Sequence, residues 1–323
     1  MSTVLERDDP APGTVASTVS GRADRVFSLG LRRISRAHRA GTHHLRAGAR
    51  AVLSPAGIAG LAVEATWQTV HLAVCPFGLL REAHRDPDAY RLEGLGPAQR
   101  GLVVGDVEAA GTPILLLHGM VDNRSVFTLL RRGLRRRGFA RVLSTNYSLT
   151  TNDVRAAAAQ LGHEIEELCE RTGYERIHVV GHSLGGLIAR YYVQRLGGHE
   201  RVHTLVTLAS PHGGTWTAYL LNTELTRQLR PGSSLQAELA EPLPGCRTRF
   251  ICYWSDLDQV IVPQRNARLI HPDLSVQNHL VRGAGHMSLP VSSRLTYEIS
   301  TALSQLNSDG SIQTAGVSTL QPR

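Results

Sequence analysis

The chain has 323 residues, enough to bury a full hydrophobic core as one large or two modest domains. Its 42% hydrophobic content suits a soluble globular protein and excludes a polytopic membrane protein. The formal net charge is +8; with no lysine in the sequence it rests on arginine, which keeps its proton at any working pH. No nucleic-acid partner is expected, because there is no recognised binding motif and the aromatic content is 5%, low for a base-stacking platform.

Residues 1–21 are rich in Pro, Ser, Thr and Gly and read as a disordered tail. A basic and apolar helical extension over 22–98 follows. Its first part carries Arg22, Arg25, Arg32, Arg33, Arg36, Arg39, Arg46 and Arg50 with no acid after Asp24. That pattern fits a solvated arm or attraction to anionic lipid headgroups. Next comes an apolar stretch, Ala51 to Leu80, in which twenty residues separate Pro55 from Pro76, about enough to span a bilayer as a helix. Glu64, Gln68 and His71 argue against insertion, since a carboxylate near mid-span costs roughly 2.5 to 3.5 kcal/mol. Their spacing puts them on one helical face, so the preferred reading is an amphipathic helix packed on the catalytic part or lying at a lipid surface, with a membrane anchor as the alternative. Membrane-surface contact through 22–80 is therefore an expectation. A cleavable secretory signal fits poorly so far from the start, and a cytoplasmic or membrane-associated protein is favoured over a secreted one.

From residue 99 to 308 strand and helix patterns alternate, the mark of an α/β fold with a mainly parallel sheet and helices on both faces. Strands are expected at 113–117, 140–145, 177–180, 203–208, 249–254 and 276–281. Helices are expected from about Ser125 to Arg137, from Asp153, a good N-cap, to Arg171 before Gly173, from Leu187 after the elbow, and after Pro290. A helical excursion over 215–240 is either a lid, hinged at Pro231-Gly232, or a plain crossover helix. Residues 309–323 read as a flexible tail. Cys75, Cys169, Cys246 and Cys252 have no metal-ligand spacing and are expected as free thiols, and no metal or cofactor is implied.

The most telling segment is Ile177 to Ala189, IHVVGHSLGGLIA. A β-branched run enters Gly181-His182-Ser183-Leu184-Gly185 and leaves as an apolar helix, the pattern of a nucleophile elbow. Side chains at Gly181 or Gly185 would collide with neighbouring backbone, and the turn lifts Ser183 above the sheet at the positive end of the next helix. A serine needs an imidazole to take its proton, and the imidazole needs an acid to hold its tautomer. Past the expected strand at 249–254 lie Asp256 and Asp258; past that at 276–281 lies His286, flanked by Gly283 and Gly285. Asp258 is preferred as the acid, with Asp256 capping its own loop. Oxyanion donors are expected from the backbone N–H groups of Met120 and Leu184. His118 is read as fixing that loop, and Gly119 as allowing close approach of the backbone. His212, in the Pro-His-Gly-Gly run, either contacts substrate or caps the next helix.

Taken together, HGM after a strand, GHSLGG, ASPHGGT, an aspartate after the next strand and GAGHMSLP resemble bacterial lipases and esterases of the α/β-hydrolase superfamily, from about residue 112 to about 305. The resemblance implies Ser183 as nucleophile, His286 as general base, Asp258 as orienting acid, Met120 and Leu184 as oxyanion donors, and a carboxylic, lipidic ester as substrate. An acyltransferase using the same residues and a non-catalytic lipid-binding module are the alternatives.

Overall fold

The computed structural model describes residues 107–120, 122–147 and 152–304, all within the second of the chain's two units, Ala56–Arg323. The basic arm, the apolar stretch at 51–80 and both expected tails lie outside the described residues. Among the described residues no helix is long and apolar enough to cross a membrane.

In chain order the elements are α1 (Val107–Gly111), β1 (Ile114–Leu117), α2 (Thr128–Arg136), β2 (Val142–Thr145), α3 (Val154–Thr172), β3 (Ile177–His182), α4 (Leu184–Arg195), β4 (Val202–Leu208), α5 (Glu224–Gln228), α6 (Ser234–Glu238), β5 (Arg249–Ser255), β6 (Ser275–Val281) and α7 (Ser293–Ser304). Every strand pair is parallel and the sheet order is β2-β1-β3-β4-β5-β6. After β2 the chain returns past β1, and from β3 onward strands add in the other direction. That reversal makes the carboxyl ends of β1 and β3 the crevice where ligands collect in sheets of this kind.

Burial on both faces explains the near-continuous apolar runs. Leu115 and Leu117 of β1 belong to one core with Ile165 of α3 and Leu187 of α4. The alternate residues Ile114 and Leu116 pack with Leu130 of α2 and Leu295 of α7 on the other face. Asp153 N-caps α3, accepting from the Arg155 N–H, and Gly173 closes it in the left-handed conformation at φ 73°. These are the stop and start signals read from the sequence.

One expected helix starts differently, and the excursion is divided at Pro231-Gly232. The segment expected from Ser125 begins as a 3-10 turn, Arg124–Phe127, because Asn123 caps it and accepts from the Ser125 N–H. The excursion over 215–240 is not one continuous crossover helix. It is a 3-10 turn (Trp216–Tyr219), then α5 and α6, separated by Pro231 and by Gly232 at φ 74°. Leu225, Leu229, Leu235 and Leu239 are buried in the α3 and α4 core, and Glu238 pairs with Arg155. The large apolar side chains left outside are Trp216 and Tyr219 of the leading turn and Leu220 and Leu221 just after it.

The elbow glycines have no room for a side chain. A Cβ on Gly181 would strike the backbone of Gly186, and one on Gly185 the carbonyls of Leu117 and His118 at the end of β1. We expect Gly185→Ala to lower folding stability by about 3 kcal/mol, the upper end of ordinary overpacking, because backbone on both sides cannot yield. A urea midpoint equal to wild type would contradict this packing.

Candidate active site

Ser183 stands between β3 and α4 at φ 52° and ψ −120°, a conformation that a residue with a side chain adopts only under constraint. Its own N–H is tied to the Leu208 carbonyl at the end of β4, 2.8 Å away. Leu184 is the first residue of α4, so its N–H has no acceptor within the helix. The loop after β1 passes directly over this turn: a Cβ on Gly119 would lie 3.1 Å from the Ser183 Cβ. Met120 follows on that loop, with its side chain turned outward. His118 is buried, stacked on Tyr147 at 4.3 Å, and its Nδ1 is 2.8 Å from the Gly119 carbonyl. The Tyr147 hydroxyl donates to the His118 carbonyl, and burial followed by the charge of Asp122 pushes that phenol far above its usual range. Together these contacts fix the shape of the loop.

Asp258 and His286, the expected acid and base, meet as a buried pair. Asp258 is fully buried and its Oδ2 lies 2.9 Å from His286 Nδ1; its Oδ1 accepts from the N–H groups of Val260 and Ile261, each at 2.8 Å. Three donors thus converge on one carboxylate, offsetting its loss of water. Asp256 does something different. It does not close on its own loop but accepts from the Gly283 N–H at 3.1 Å and faces Arg282 at 3.7 Å, so it latches the loop that carries His286. Ser255 reinforces the latch by donating to the Ala284 carbonyl.

His212 neither opens to the site nor caps a helix. It is buried, its Nε2 pairs with the Thr207 hydroxyl on β4 at 2.9 Å, and the cap of the next turn is Thr215. The β4 register sets this, since Thr207 faces the same loop. Burial, then the charge of Arg190, holds its imidazole well below the usual range. Arg190, driven down to about 10 by burial, donates to the carbonyls of His212 and Leu239 and so ties α4 to the excursion.

Two residues not singled out from the sequence also belong here. His182, the residue before Ser183, is 1% exposed, and its Nε2 lies 3.2 Å from the His286 carbonyl. Its Nδ1 lies 3.5 Å from Oδ2 of the buried Asp122, on the loop after β1. A second imidazole inside the elbow, and an acid just beyond HGM, were the available signals. Among the described residues no group of three or more His, Cys, Asp or Glu could hold a metal ion, and Cys169, Cys246 and Cys252 are free thiols.

Comparison with known proteins bears on the fold that carries these residues. The model of the palmitoyl protein thioesterase family matches residues 113–259, from the start of β1 through the acid loop. The lin2722 product of Listeria innocua superposes with TM-score 0.50 at 17% identity, over 62% of this chain and 96% of that one. The propeptide form of Bacillus licheniformis lipase BlEst2 gives 0.52 at 18% identity, over 61% of this chain and 51% of that one. Aspergillus fumigatus lipase B gives 0.50 at 16%, over 68% of this chain and 57% of that one, so the chain spans little more than half of either lipase. The fold is that of the α/β hydrolases.

Proposed function

We propose that the protein cleaves carboxylic esters or thioesters of apolar acyl chains through a covalent acyl-enzyme. The observation that carries this reading is the buried Asp258–His286 pair on loops beside a strained serine turn. His286 takes the Ser183 proton as Oγ attacks the acyl carbon. Asp258 holds the imidazole tautomer and stabilises the imidazolium. The N–H groups of Met120 and Leu184 receive the charge on the carbonyl oxygen, His286 protonates the departing alkoxide or thiolate, and water repeats the sequence on the acyl-enzyme.

An apolar acyl chain is supported by exposed Trp216, Tyr219, Leu220 and Leu221, whose turn is stitched to the acid loop by the Trp216 N–H on the Val262 carbonyl at 2.8 Å. Isolated exposed apolar residues mean little, but a run of four beside the acid loop is a lipid-contacting surface in keeping with the substrate class. The family match extends the substrate class to thioesters, whose thiolate leaving group needs less help from an acid.

A long-chain alkyl phosphonate is expected to add covalently to Ser183, with the adduct found by mass spectrometry on the peptide holding that residue. p-Nitrophenyl esters and acyl thioesters are expected to turn over with preference for longer chains. Absence of both adduct and turnover would leave the fold without this chemistry.

A further inference from the structure

Three separate loops must stay in register for the proposed reaction: the one after β1 carrying the oxyanion donor, the elbow, and the one after β6 carrying the base. A single side chain touches all three. His182 is covalently next to the nucleophile, its Nε2–H donates to the backbone carbonyl of His286 at 3.2 Å, and its Nδ1 lies 3.5 Å from the Asp122 carboxylate beyond Met120. The rings of His182 and His286 sit 4.8 Å apart, tilted by 48°, so the base is held against its neighbour by packing as well as by the hydrogen bond.

On this basis we propose that His182 is a positioning residue for the base, and that Asp122 fixes the rotation of its ring. The inference rests on Ser183 and His286 acting as described above. A carbonyl oxygen only accepts, so the bond to His286 requires the proton on Nε2; this leaves Nδ1 on the side of the Asp122 carboxylate, to which it is drawn when it too carries a proton. The geometry differs from that of Asp258, which holds the His286 ring by its Nδ1. His182 holds the backbone from which that ring hangs. With the ring fixed at one end by Asp258 and the main chain fixed at the other by His182, His286 Nε2 has little freedom left. A displacement of about 1 Å at a reacting group is enough to cost on the order of 10²-fold in rate.

Position accounts for why the elbow is the place for such a joint. His182 ends a strand in the middle of the sheet and is buried on all sides, so its side chain has one orientation. Any movement of the base loop must break a hydrogen bond to a buried donor, which then has no water to turn to.

The test uses the full chain and p-nitrophenyl esters, with rates per active site counted by phosphonate labelling, and per folded chain by circular dichroism for Ser183→Ala, so that a misfolded fraction does not enter the result. Wild type is compared with Ser183→Ala, His182→Leu, His182→Gln and Asp122→Asn. Glutamine can place an amide N–H near the Nε2 position; leucine cannot. We expect His182→Leu to lose about 10²-fold in kcat with KM within about twofold, and His182→Gln to recover to within about fivefold of wild type. The double variant His182→Leu with Asp122→Asn is expected to lose no more than His182→Leu alone, because the carboxylate acts through the ring. Wild-type kcat in His182→Leu, or equal losses in the leucine and glutamine variants, would overturn the role of His182. Additive losses in the double variant would overturn that of Asp122. If wild type is no faster than Ser183→Ala, it is the underlying serine mechanism that has failed.

Discussion

Asp258→Asn is expected to lower kcat by about 10³ to 10⁴-fold with little change in KM, whereas Asp256→Asn is expected to stay within about threefold of wild type. The difference follows from what surrounds each carboxylate. Asp258 Oδ1 accepts from two backbone donors, Val260 and Ile261. An asparagine there must keep its oxygen on those donors and turn its NH₂ toward His286. The imidazole then presents a bare Nδ1 to that amide and carries its proton on Nε2, the nitrogen that has to accept from Ser183. The residue stays folded and bound to its neighbours but holds the wrong tautomer. Asp256 offers Gly283 only one acceptor oxygen, which asparagine also has, and its Arg282 partner is 81% exposed, so the lost ion pair is worth little. Steady-state rates on a soluble ester separate the two. Equal losses at both positions, or a larger loss at Asp256, would move the acid role away from Asp258.

Much of this site was legible because its chemistry is tied to local geometry. A turn that excludes side chains at Gly181 and Gly185 leaves a pattern in five consecutive residues, and an acid or base at a strand end follows a run of apolar residues that is easy to see. The preference for Asp258 over Asp256 draws on the same kind of signal, the apolar Val260-Ile261-Val262 run after it, which folds back to give its carboxylate two donors. What sequence could not convey were contacts set by register between distant segments. The His182 bond to His286 crosses a separation of 104 residues, and the latch from Asp256 to Gly283 crosses 27. His212 illustrates the same limit. A histidine between Pro211 and Gly213 looks like a loop residue free to meet a ligand, and only the pairing of β4 shows that Thr207 lies under it. In the excursion, the hydrophobic positions read as a lid or a crossover are consumed by α3 and α4, a choice that depends on helices thirty or more residues earlier.

Acid is expected to destabilise the fold itself, over a range separate from any change in catalysis. His178 on β3 is fully buried, and neither ring nitrogen has a hydrogen-bond partner. His203 on β4 meets it edge to face at 5.4 Å, with its Nδ1 2.9 Å from the Thr204 hydroxyl. Burial is the main reason both imidazoles resist protonation, and the charges of Arg176 and Arg249 add to it; His203 is pushed down to about 4 and His178 well below the usual range. His212 is depressed in the same direction. In the unfolded chain each of these groups takes up a proton near pH 6.5. Below that value the unfolded state binds more protons than the folded state, so folding stability is fully present above about pH 6.5 and is lost progressively as pH falls toward 4. Each histidine contributes a slope of up to about 1.4 kcal/mol per pH unit within that window. His178→Leu removes one of them without breaking a hydrogen bond, since none is made, and replaces a polar ring by an apolar side chain at a fully buried position. Its urea midpoint at pH 7.5 is expected to equal or exceed that of wild type, and its decline between pH 6.5 and 4.5 to be shallower by about one proton. A decline identical to wild type would mean that acid sensitivity arises elsewhere than at this imidazole pair.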